Sequence, residues 1–138
     1  MSKVEWFRRT TWTAADAADF AAHLKRSRSD FHKAQYLHIQ AGHLHAVGVP
    51  ELTAVALGLL DQLVTDWPSE SQLSIAHAQR AQCLVDLGRS AEALDAYRAA
   101  LLAGLHRLLD VHGEEGYLAT WVRFPFPSHR LAQLRALL

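Results

Sequence analysis

The chain has 138 residues with no net formal charge; half of them are hydrophobic and only a fifth are charged. That length and balance fit one globular domain with a real core and exclude a disordered chain, while the leucine- and alanine-rich composition, poor in glycine and proline, points to an all-helical fold. No apolar run is long enough to span a bilayer, the opening Met1 to Trp6 has no secretory h-region, and a single cysteine, Cys83, excludes an internal disulfide framework, so a cytoplasmic protein with no membrane partner is expected.

Taken in chain order, Trp6, Phe7 and Trp12 form an arm whose rings are expected to cover the core. Thr13 with Asp16 reads as an N-cap and acidic first turn. The first helix then puts Ala17, Phe20, Ala21 and Leu24 on one face and leaves Asp16, Asp19 and His23 to water. Ser27 to Asp30 recaps a second helix over roughly 31–47, ended by Gly48, and Pro50 starts a third that stops at Trp67-Pro68. Ser69 with Gln72 reads as the capping box of a fourth helix ending at Gly88. Ser90 caps a fifth that extends toward Val111, and Leu105 onward is an irregular cap. Charge is uneven along this order. Residues 1–33 carry seven basic side chains against four acidic, and the rest of the chain balances them with an acidic excess.

The segment from Ala34 to Gly48 matches that from Ser74 to Gly88 at an offset of 40, aligning Ala41 with Ala81 and Leu44 with Leu84. A period of this size is the signature of stacked helical hairpins. In unit two, Ala81 and Leu84 are followed by the turn Leu87-Gly88-Arg89, then Ala93, Tyr97 and Ala100-Leu101. This pattern resembles the tetratricopeptide repeat (TPR). Unit one repeats it with Leu37, Ala41, Leu44, Gly48, Ala56, Leu60, Leu63 and Pro68, which implies a turn about three residues longer. His77 departs from the TPR pattern, and no proline closes unit two. Glu5-Trp6-Phe7-Arg8, Trp12 and Lys33-Ala34-Gln35-Tyr36-Leu37 are similar to segments of uncharacterised bacterial TPR-containing proteins.

The resemblance implies a single all-α domain over 1–138, a TPR-like α-solenoid of stacked antiparallel helical hairpins. Within it, an arm and capping helix (1–30) precede unit one (34–68), unit two (74–104) and a C-terminal cap (105–138). It implies a concave face lined by Gln35, His38, Gly42, His45 and Ala46 from unit one, and by Ile75, Ala78, Gln82, Val85 and Asp86 from unit two. The lysine and asparagine clamp of chaperone-binding repeats is absent, since His38, Gly42, Ala78 and Gln82 stand in its places. The mixed polar and apolar face suits a peptide or helix from a protein partner.

Catalytic signals are weak. His32, His38, His43 and His45 share one helix, yet no two stand three or four residues apart, as metal ligands on a helix must. There is no H-E-x-x-H, C-x-x-C or glycine-rich phosphate loop. Cys83 lies in a packed helical segment and reads as an inert thiol. The expectation is a non-enzymatic interaction or scaffold domain with no cofactor and no metal. A histidine- or metal-dependent enzyme is the alternative, with nucleic-acid binding through Arg8, Arg9, Lys25, Arg26 and Arg28 a further one, and exposed aromatics leave a homodimer contact open.

Overall fold

The computed structural model describes residues 6–68 and 70–104. Among them are α1 (Ala14–Arg26), α2 (Asp30–Ala46), α3 (Pro50–Asp66), α4 (Glu70–Asp86) and α5 (90–104), preceded by a short 3₁₀ turn at Trp6 and Phe7. No strand occurs among the described residues. None of the described helices is long and apolar enough to cross a membrane. The expected capping at Ser69 and the whole C-terminal cap (105–138) lie outside the described residues.

Local chemistry sets the helix ends. Thr13 Oγ1 accepts from the Asp16 backbone N–H at 3.0 Å while the Asp16 carboxylate accepts from the Thr13 N–H at 2.9 Å, a complete capping box for α1. Ser29 Oγ accepts from the His32 N–H at 3.2 Å and starts α2. Pro50 occupies the first turn of α3, where its missing N–H costs nothing. At the other ends, Gly48 and Gly88 take left-handed backbone, with φ of 81° and 77°. Gly88 N–H donates to Val85 O at 3.0 Å and Arg89 N–H to Leu84 O at 2.8 Å, closing a Schellman motif that satisfies the last carbonyls of α4. A Cβ on Gly88 would meet nothing within 4 Å, so Gly88→Ala tests backbone strain alone. We expect it to lower the unfolding free energy by about 1 kcal/mol, read from the urea midpoint. Ser90 does not cap α5 as its type suggests. It is the first helical residue, matching Pro50, and Arg89 takes the flanking place, its carbonyl accepting from Ala93 N–H at 3.0 Å.

The repeat is more regular than its sequence indicates. α2, α3 and α4 each have 17 residues, and every connection within and between the hairpins has three. α4 therefore begins and ends 40 residues after α2, and α5 begins 40 residues after α3. The turn of unit one is not longer than that of unit two. The buried positions of the second helices instead align at an offset of 37, Ala56 with Ala93, Leu59 with Ala96, Leu60 with Tyr97 and Leu63 with Ala100, all eight buried, so α5 presents its core face nearly one turn closer to its start than α3 does. The 40-residue unit exceeds the roughly 34 residues of a TPR.

The core follows from this geometry. α3 packs against both α2 and α4, and α2 also meets α4. Ala41, Ala56, Ala81 and Ala93 are all buried, giving small contact points where helices cross, while Leu37, Leu44, Leu60, Leu63 and Leu84 fill the space between. α5 joins through Ala96, Tyr97 and Ala100, and Ser74 Oγ donates to the Ala100 carbonyl at 3.1 Å.

α1 departs from the simple amphipathic reading. Phe20 and Leu24 are buried, but Ala21 is exposed, and neither Asp16 nor His23 is given over to water. The arm is the reason: Trp6 stacks on the His23 ring at 4.8 Å, and Arg9 reaches Asp16.

Candidate functional site

The concave-face residues of the repeat reading fall on α2 and α4. On α2, Gln35, His38, Gly42 and His45 form one stripe, at steps of three and four residues. α4 lies against that stripe through three polar links, each joining residues 41 apart. Gln72 Nε2 donates to the Phe31 carbonyl at 3.0 Å, Gln79 Nε2 to the His38 carbonyl at 3.1 Å, and His45 Nε2 to Asp86 Oδ2 at 2.6 Å. Successive links are seven residues, or two turns, apart, which keeps them nearly on one line. The third joins two sequence-predicted residues directly. It is part-exposed at both ends, so its contribution is at most about 1 kcal/mol.

The remaining candidates sit around these links. The His38 side chain is half-buried, and burial pushes its imidazole below the usual histidine value. Gly42 lies against Gln79, whose Nε2 would stand 3.4 Å from an added Cβ, an ordinary contact. Gln35, Gln82 and Val85 are half-buried and Asp86 is exposed. Ala78 is buried and offers a partner no surface. Gln79 was missed by sequence reasoning, and Gln72 was read only as the partner of Ser69 in a capping box. The signal available was their two-turn spacing with Asp86, at a constant offset from Phe31, His38 and His45. In both glutamines the side-chain oxygen is buried with no hydrogen-bond partner among the described residues.

A second polar group lies between α3 and α4. Arg80 Nε donates to Asp61 Oδ1 at 2.7 Å, and its Nη1 lies 3.4 Å from His77 Nδ1. Burial, then the Arg80 charge, hold the His77 imidazole below its usual value. Cys83 is buried beside them, and burial, with help from Asp86 and Asp61, pushes its thiol up to about 12. The thiolate a nucleophile requires is therefore a minute fraction at neutral pH. Among the described residues, no three His, Cys, Asp or Glu side chains gather in a way that could hold a metal ion.

The two lowered histidines set a direction for pH dependence. The unfolded chain protonates them at ordinary values while the folded chain resists, so their stabilising contribution is present above the ordinary histidine range and is lost as pH falls through the depressed folded values. The urea midpoint should fall between about pH 8 and about pH 5. The double variant His38→Gln and His77→Gln should flatten that fall, and an unchanged slope would place its origin elsewhere.

The third concentration of polar contacts holds the arm. Gln40 on α2 is fully buried; its Oε1 accepts from the Arg9 N–H at 3.0 Å and its Nε2 donates to the Arg9 carbonyl at 2.8 Å. The Arg9 guanidinium donates to Asp16 Oδ1 at 2.9 Å, to Asp19 Oδ2, and to the Trp6 carbonyl at 3.1 Å. Asp16 also accepts from Thr11 Oγ1 at 2.8 Å. Its carboxyl is held below the usual carboxylate value, first by the Thr13 backbone N–H, then by Thr11, with Arg9 adding a smaller part.

No family model, curated protein or solved structure matches this chain.

Proposed function

We propose that the chain is a non-enzymatic protein-interaction or scaffold domain, a TPR-like array that binds a peptide or helix along α2 and α4. The observation that carries this reading is the strict 40-residue repeat, which sets α2 and α4 side by side with His38, His45, Gln82, Val85 and Asp86 along them. Stacked helical hairpins build extended surfaces of this kind, and their repetition serves binding more readily than chemistry. The half-buried, mixed character of these side chains favours polar and apolar contacts made together over a purely charged clamp. The protonated Cys83 thiol gives a nucleophilic mechanism little support. Arg9 is drawn away from the basic-lobe reading by its ion pairs with Asp16 and Asp19.

The test is pull-down by the full chain and by the double variant His38→Glu with Gln82→Ala, both checked for helical circular dichroism. Loss of a defined partner from the folded variant supports the α2–α4 face. Unchanged recovery of the same partner removes it.

A further inference from the structure

The contacts around residues 6–9 have the composition of a peptide complex. α1 approaches α2 less closely than α3 does, and the arm bridges the two. Its backbone after the turn at Trp6 and Phe7 is non-helical. Three separate groups on α1 and α2 read it. Gln40 pairs with both main-chain groups of Arg9, the two-point pairing that a neighbouring strand makes with an extended residue. Asp16 and Asp19 clasp the guanidinium from two sides. Phe20 and His23 from α1 and Tyr36 from α2 surround the Trp6 ring with centroids 5.3, 4.8 and 4.8 Å away, and Tyr36 also meets Phe7 at 4.7 Å.

An arm that served only to cover a core would need apolar burial and nothing more. A fully buried glutamine is a costly way to obtain it, since its amide must be paired or pay a desolvation penalty. At position 40 a leucine would fill comparable space without that requirement. What the glutamine adds is recognition of main chain, whatever the side chains on it, while the ring pocket and the two carboxylates add sequence selectivity. These groups sit on the receiving helices, so any segment of the same pattern could use them. Asp19 is about half exposed, which leaves the guanidinium clasp open to exchange.

We propose that α1 and α2 form a peptide-binding cleft, distinct from the α2–α4 face. Its ligand is a peptide segment with an aromatic residue in a short 3₁₀ turn, three positions before an arginine on non-helical backbone. Trp6 to Arg9 fill it in cis. The chain's own arm is thus a built-in competitor, and a partner segment must displace it.

The experiment uses a fluorescent synthetic peptide spanning Trp6 to Trp12, a second peptide with Arg9→Ala, and two full-length chains, wild type and Arg9→Ala. Anisotropy should show the first peptide binding the Arg9→Ala chain about tenfold more tightly than wild type, because weakening the competitor raises the open fraction. The second peptide should lose most of its affinity for both chains. Binding of neither peptide to a folded Arg9→Ala chain, or equal binding of both, would overturn the proposal. A measurement on wild type stands even if that variant does not fold. Excess first peptide should speed hydrogen exchange of the Arg9 amide while leaving α3 amides unchanged, and no change at Arg9 would equally overturn it. None of these readouts touches the α2–α4 face, so its failure and the failure of this cleft are separable.

Discussion

Leu60→Ala is expected to lower the unfolding free energy by about 3–4 kcal/mol, among the largest effects a single truncation can have in this chain. Leu60 is completely buried on α3, the helix that packs against both α2 and α4, so the void would fall in the shared core of the two hairpins. The transfer term for the lost methyl groups and the cavity left behind act in the same direction, and the rigid three-residue connections limit how far the walls can relax. Leu102→Ala is the control. Leu102 is largely exposed, and its truncation should shift the urea midpoint by no more than about 0.5 kcal/mol equivalent. Equal effects at the two positions would mean that α3 does not stand at the centre of the core.

Gln40→Leu should cost about 2–3 kcal/mol although it keeps nearly the same volume. The substitution strips the Arg9 N–H and C=O of their partners in a site that holds a fully buried side chain. The chain can limit the penalty by letting the arm swing out and hydrating both groups, at the expense of the contacts of Trp6 and Phe7. Tryptophan fluorescence should therefore red-shift before global unfolding begins. A double-mutant cycle with Arg9→Ala should show strong coupling, because both changes release one segment. Additive effects would mean that the glutamine stabilises α2 by some other route.

Legibility divides along the range of the interactions. Thr13 with Asp16, Pro50, Gly48 and Gly88 were readable because each acts within a few residues on its own backbone. The offset of 40 was readable because the two glycine turns carry it on identical residue types. The register of the second helix in each hairpin was only partly so, since small residues at 53, 56, 93 and 96 permit two alignments, and the helix starts follow an offset of 40 while the core-facing positions follow 37. The stripe of candidate residues on α2 was implied by the TPR resemblance, and one of them, His45, meets the candidate Asp86 across the α2–α4 contact. Gln72, Gln79 and Gln40 were invisible as contributors because their partners are main-chain groups 41 or 31 residues away, and a carbonyl carries no mark in a sequence. His23 was placed in water for a related reason: helical periodicity within α1 has no knowledge of an indole arriving from the arm.

The evenly spaced links between α2 and α4 have a mechanical consequence. Two of the three grip helix carbonyls, which recur along the axis, so sliding one helix by a single residue misaligns every link at once instead of breaking them in turn. Tilting the pair open from one end costs them one at a time. The two hairpins should consequently resist shear while yielding to flexure, and the array should change its curvature long before it slips its register.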